Sequence, residues 1–340
     1  MEPDGYVFPL DQPSPWMGVE RLTREVPRIR SALEGATGAS AGFCWGLRMD
    51  PQIALAYGSP AYALERFGAF FDEAMAAGDA VGVHPHAWRW EAERQVWLAD
   101  HANQAWVDEC VAVAAETYAS VLGARPTYHR FGSGFMSTRT MNVVRELGIP
   151  VDLTVEPGQP ARGPRTGDGI VWTGSCWGFE DVPRHPYQPD PADFRRAAAG
   201  AGDGFWAIPL TSSRKKVGPS ATPLFRARYW AHRPSAAARR VARTLTRTAP
   251  PFRPLRMWPG GPAPATFWDV AFDAASESPD ACLAFSLRSD VFLDRETSAW
   301  FEAIVGQLAA EPRRERVRFV TPQQALAMTG RAAGSADRPA

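Results

Sequence analysis

The stretch GDAVGVHPHAWRW (78–90) sets the reading of this chain. Ahead of it lies a helical run from Ser59 to Ala77, with Ser59 placed as N-cap and Pro60 at the first helical position. Gly78 follows as a left-handed C-cap, and AVGVH (80–84) reads as a short buried strand. The strand ends in His84-Pro85-His86. Residues i and i+2 of an extended segment point to the same side, so both imidazoles can reach one point.

The same alternation extends in both directions. Strand-type runs are expected at 6–10, 41–48, 126–131, 150–155, 204–210, 281–287 and 316–320, and helices at 19–36, 106–122, 136–147, 266–277 and 295–310. Strands alternating with helices of 12 to 18 residues imply βα units around a parallel sheet. About seven or eight such units in one chain point to a closed (β/α) barrel rather than an open sheet. No GxGxxG or GxxxxGK[ST] follows any strand, which removes the phosphate-cradling signals of dinucleotide and P-loop folds.

The 340 residues carry 37 Lys+Arg against 37 Asp+Glu and are 45% hydrophobic, which excludes wholesale disorder and fibrous repeats. The opening stretch MEPDGYVFPLDQPSP has acids and prolines where a signal peptide needs a basic and then an apolar segment. Cys44, Cys110, Cys176 and Cys282 lie far apart with no CxxC pair, as suits reduced thiols. Together these features point to a cytoplasmic protein. Neutrality hides an asymmetry, because residues 204–268 hold 12 Lys or Arg and no acid. That Pro- and Arg-rich stretch reads as an insertion on a body spanning 1–330, with 331–340 as a disordered tail.

In a barrel of this kind, reactive groups sit at the C-terminal ends of the strands. Those ends supply Asp11, Arg48 and Asp50, then His84 and His86, followed by His129 and Arg130, Asp152 and Glu156, and finally Arg288 and Asp290. Two neutral imidazoles with a carboxylate suit a divalent metal that keeps an open position for water. Such an ion lowers the pKa of its water toward about 7 and polarises a carbonyl, as amide or ester hydrolysis requires. Trp88, Trp90, Trp97 and Trp106 lie close together and could offer faces to a sugar, although core and loop packing is the better reading for any one of them.

GDAVGVHPHAWRW resembles the second motif of the polysaccharide deacetylase (NodB-homology) family, in its HxHxW branch. YHRFGSGFMSTRTMNVVRELGIPVDLTVEPG (128–158) resembles the next block of that family, and RHPYQP (184–189) a substrate-side loop. The likeness covers roughly 5–210 and 281–325 and leaves the basic insertion outside. It implies a distorted (β/α)7-type barrel that removes an acyl group from an amino sugar or related amide. It also implies one divalent ion, zinc with cobalt or nickel as alternatives.

Carried over by position, the metal ligands would be Asp11, His84 and His86, with Asp50 as base and Arg130 orienting it. Trp88, Trp90, His129, Glu156, His185, Tyr187 and Arg288 would face the substrate. The sequence departs from the family pattern at three places. Trp88 stands where the second histidine belongs, Asp11 lacks an adjacent acid, and Arg288 replaces the late-strand histidine. An arginine cannot serve as the proton donor there, so either His129 or His185 serves, or the reaction needs no such acid, or the protein is no longer a hydrolase.

Two other readings stay open. An amidohydrolase-type barrel also uses HxH and would add His185, His232 and Asp290, but with HxH on the first strand. A barrel that binds a glycan without cleaving it fits the three departures. The helical face Arg239, Arg240, Arg243 and Arg247 suits a nucleotide- or lipid-linked anionic part of a substrate, and segment 214–256 could touch an acidic membrane surface. No nucleic-acid module accompanies the charge.

Overall fold

The computed structural model describes residues 1–5, 8–167, 170–200, 203–214, 252–257, 261–277 and 282–330. Its strands are β1 (Cys44–Leu47), β2 (Ala80–Val83), β3 (Trp88–Glu91), β4 (Val96–Ala99), β5 (Val151–Asp152) and β6 (Arg165–Gly167). They continue with β7 (Ile170–Trp172), β8 (Pro189–Asp190), β9 (Asp193–Ala197), β10 (Trp206–Ala207), β11 (Ser212–Ser213) and β12 (Arg253–Pro254). The helices are α1 (Met17–Thr37), α2 (Pro51–Tyr57), α3 (Tyr62–Ala76), α4 (Gln104–Leu122), α5 (Thr138–Glu146), α6 (Pro264–Ala275), α7 (Arg295–Leu308) and α8 (Pro322–Met328).

The architecture is mixed α/β around a parallel sheet. β1 pairs with β2, Val83 bridges His129, His129 bridges Asp152, and β5 pairs with β10, all in parallel. The register aligns Leu47, Val83, His129, Asp152 and Ala207 in one row, so these side chains share a face, and all five are fully buried. Leu47 and Val83 belong to a core that also takes Leu22, Val26, Ile29 and Leu33 from α1. Their spacing of four, three and four residues is the stripe of an amphipathic helix. Among the described residues the parallel set does not close into a ring. The expected strand at 126–131 contracts to the single bridge at His129, and residues 282–287 and 316–320 carry no strand.

Local chemistry explains the other differences. Ser59 Oγ accepts from the Ala61 N–H at 3.1 Å, making a turn, and α3 starts two residues later than expected. Asp50 caps α2 and Thr321 forms a capping box on α8; neither helix was expected. The Trp-rich stretch folds back as the antiparallel pair β3–β4, extended by β7 and β6 into a second sheet. Trp88 and Trp97 pack there with Phe8 and Ile170. Tyr6 and Val7, most of the basic stretch (with His232 and the arginine face), and the tail 331–340 lie outside the described residues. No helix of the described residues is long and apolar enough to cross a membrane.

The sheet tolerates nothing larger than glycine at position 82. A Cβ there would lie 2.4 Å from the Tyr128 carbonyl oxygen and 2.8 Å from its ring. The obstruction is partly backbone, so the strands themselves must shift. Gly82→Ala should therefore destabilise the fold by about 1–3 kcal/mol or more. Urea unfolding reads this directly, and an unchanged midpoint would show that β2 and residue 128 are not this close.

Candidate functional site

The C-terminal ends of β1 and β2 deliver the polar residues to one place. Past β2, the His84 N–H donates to the Leu47 carbonyl at 2.7 Å, and the Gly132 N–H donates to the Pro85 carbonyl at 2.8 Å. The His86 N–H donates to Asp50 Oδ2 at 3.0 Å. Three neighbouring segments therefore fix the His84-Pro85-His86 turn.

As the i, i+2 spacing predicts, the two imidazoles converge, with His84 Nε2 and His86 Nε2 3.3 Å apart. The third member is Glu2, whose Oε2 lies 3.6 Å from His86 Nε2. One ligand atom from each of Glu2, His84 and His86 falls within 4.8 Å of the others. Glu2 is held from outside: its Oε1 lies 3.4 Å from Arg288 Nε, and its carbonyl accepts from Ser289 Oγ at 3.2 Å. Burial alone would raise the Glu2 carboxyl, but the Arg288 and Arg48 guanidinium groups outweigh it and hold the group below its ordinary value. Burial also drives His84 down to about 3 and His86 well below its usual value, so both rings are neutral near pH 7.

This donor set fits a divalent cation. At Zn–N distances of 2.0–2.1 Å, two nitrogens on a tetrahedral ion lie about 3.3–3.4 Å apart, which is the separation found here. His84 Nδ1–H donates to the Arg130 carbonyl at 2.7 Å, leaving the Nε2 lone pair available. At His86 two groups meet Nδ1, the Trp88 indole nitrogen at 2.9 Å and Ser133 Oγ at 3.2 Å. Gly132 makes room for that ring, since a Cβ there would lie 2.0 Å from it. Ser133 holds a left-handed backbone (φ 57°), uncommon for a residue with a side chain.

Several expected participants have other work. Asp11 is exposed in the turn closed by the Gln12 N–H on the Pro9 carbonyl; it is not one of the three clustered ligands, and Glu2 supplies the carboxylate. Asp50 is fully buried, paired with Arg48 through both oxygens, and it also accepts the backbone N–H groups of Gln52 and His86. A carboxylate held by this many donors positions the turn that carries His86. The Arg130 guanidinium is spent on Glu156 at 2.9 Å and on the Leu153 carbonyl, so Arg130 reaches the site through its own carbonyl. Glu156 is clamped between Arg130 and Arg256.

Three more of the expected substrate-side residues are buried. His129 is fully buried and donates from Nδ1 to Asp152 Oδ2 at 2.7 Å. Trp88 is buried in the second sheet's core, and the Tyr187 hydroxyl donates to the Phe194 carbonyl at 2.8 Å. Trp90 and His185 are half-buried, and neither is among the clustered ligands. Arg288 does reach the site, bridging Glu2 and Asp290. HxH lies after the second strand of the parallel sheet, and His185 and Asp290 stay outside the cluster, so the amidohydrolase arrangement does not form among the described residues.

Glu2 and Ser133 were not legible beforehand. Glu2 sits in a stretch without periodicity, whereas the tripeptide Gly132-Ser133-Gly134 is a sequence signal of close approach.

Two measurements test these assignments. Asp50→Asn leaves Arg48 uncompensated in the interior and should cost about 3–5 kcal/mol of stability; an unchanged urea midpoint would return Asp50 to the list of candidate bases. His101 is buried and stacked on Phe135 with centroids 4.5 Å apart, and burial drives its pKa down to about 3. Its folded value lies below the unfolded value of about 6.5, so below pH 6.5 the unfolded chain takes up a proton that the folded chain refuses. The stability present above pH 6.5 is therefore lost as pH falls toward 3, by at most about 1.4 kcal/mol per pH unit from this residue. Unfolding curves at pH 7, 5 and 4 should show wild type losing more stability toward acid than His101→Phe; parallel losses would show that His101 does not titrate this way.

No family model matches the chain, and no curated protein matches it. Among solved structures, the chain is similar to one from Mycobacterium smegmatis described as a "putative polysaccharide deacetylase", at 14% identity and a TM-score of 0.45, over 96% of this chain and 85% of that one.

Proposed function

We propose that Glu2, His84 and His86 hold one divalent cation and that the protein is a metal-dependent hydrolase of an amide, removing the acyl group of an amino sugar or related compound. The observation that carries the reading is the 3.3 Å approach of two neutral imidazole nitrogens, one buried and one half-buried, beside a buried carboxylate. When bound, a cation of the zinc, cobalt or nickel type lowers the pKa of a water toward about 7 and polarises an acyl carbonyl.

The chain's own residues hold that centre in place. The Arg130 carbonyl orients His84, Asp50 fixes the backbone of His86, and Arg288 restrains Glu2. The motifs at 78–90 and 128–158 support a deacetylase among the hydrolases of this chemistry, and with it the distorted seven-stranded barrel. The acid-free basic stretch supports a substrate with an anionic part, nucleotide- or lipid-linked, or contact with an acidic membrane surface.

A second reading is a glycan-binding protein without turnover. Saturation of Asp50 favours it, because the expected base is committed to Arg48.

Metal analysis of the purified protein separates the two. Wild type should carry about one divalent ion per chain, His84→Ala should carry none, and the loaded protein should release acetate from an N-acetyl amino sugar. Metal without acetate release supports the binding reading. Full metal content in His84→Ala would overturn the centre itself.

A further inference from the structure

The contested atom of the site is His86 Nδ1. An indole nitrogen only donates, so the Trp88 N–H at 2.9 Å requires a lone pair on His86 Nδ1. A neutral imidazole carries one proton, which then sits on Nε2 and points toward His84 Nε2 at 3.3 Å and Glu2 Oε2 at 3.6 Å. His84 Nε2 can accept it, because the proton of that ring is committed to the Arg130 carbonyl. In this arrangement the site is closed by its own hydrogen bonds and His86 offers no lone pair to a cation.

The alternative partner is already in place. Ser133 Oγ lies 3.2 Å from the same Nδ1 and can either donate or accept. With the proton on Nδ1 and donated to Ser133, the Nε2 lone pair faces Glu2 and His84, and the three-ligand set is complete. The Trp88 N–H must then move away, because two donors cannot face each other at this distance.

We propose that Trp88 is a positioning residue that opposes cation binding by holding His86 in its non-ligating tautomer, and that Ser133 is the positioning residue that favours binding. Loading the site moves one proton of His86 from Nε2 to Nδ1 and transfers the Nδ1 contact from Trp88 to Ser133, with no net proton gained or lost by the ring. The inference rests on the proposed cation site, and its sign is unusual. Removing a hydrogen bond to a ligand histidine commonly weakens a metal site by about 10–100-fold, whereas removing this one should strengthen it.

The test combines two readouts on the full chain. Long-range nitrogen–proton correlation spectra of the metal-free protein report the tautomer of His86, and calorimetric titration with Zn²⁺ or Co²⁺ reports affinity. Wild type should show the proton on Nε2. Trp88→Phe should shift it toward Nδ1 and tighten the cation by about 10-fold, and Ser133→Ala should loosen it by about 10–100-fold.

A metal-free wild type with its proton already on Nδ1 would overturn the proposal, as would Trp88→Phe that binds the cation no better than wild type. Trp88 is buried, so the wild-type spectrum and Ser133→Ala carry the test if Trp88→Phe does not fold. Should no form bind a cation, the hydrolase reading fails and the opposition to binding fails with it, whereas a wild type that binds while Trp88→Phe binds no tighter overturns the proposal alone.

Discussion

The buried ion pair between Arg48 and Asp50 is the constraint on which the site depends. Both side chains are fully buried, and an isolated charge at either position would be costly. The pair therefore persists as a unit, and its remaining capacity is used on three elements at once. Asp50 caps α2 through the Gln52 N–H and holds the His86 N–H, while Arg48 also reaches the Gln52 side chain at 2.6 Å. The backbone N–H of Arg48 donates to the Met1 carbonyl at 3.2 Å, next to Glu2. One pair thus links the end of β1, the turn after β2 and the segment that supplies the carboxylate.

The two histidines differ in kind despite their matching sequence context. His84 is oriented by a main-chain carbonyl, an acceptor that cannot change role, so its free lone pair is fixed by the fold. His86 is oriented by two side chains of opposite consequence, one that can only donate and one that can do either. Ser133 reaches it from a left-handed backbone between two glycines, and Gly132 cannot carry a Cβ without striking the ring. Local strain of this sort persists only where surrounding structure overdetermines it, and here the Pro85–Gly132 hydrogen bond and the packed ring of His86 do so.

Much of this could be read in the chain beforehand. Periodicity located α1, α4, α5 and α7 to within a few residues, and the i, i+2 rule brought His84 and His86 together. What failed shares a cause: a residue type does not reveal which hydrogen-bonding capacity is already used. Asp50 was expected as the base, and its type gives no sign that Arg48 pairs with both of its oxygens while it caps α2. His129 stands at a strand end like His84, but the single-residue bridge turns it to the buried face beside Asp152. The tryptophans after His86 suggested sugar platforms, and the hairpin that buries Trp88 and Trp97 depends on pairing with β7, about seventy residues downstream.

Glu2 shows the remaining limit. A carboxylate joins a site by proximity in space, and nothing in its sequence neighbourhood marks it. What makes it suitable is the set of cations around it, since Arg288 and Arg48 offset the burial that would otherwise leave it protonated more readily. The same burial keeps the two imidazoles neutral, so the centre as built gathers lone pairs and one negative charge in a place where water screens them poorly. Such an arrangement is stabilised by a small cation or by protons shared among its members, and the choice between the two falls to the side chains at His86 Nδ1 rather than to the ligands themselves.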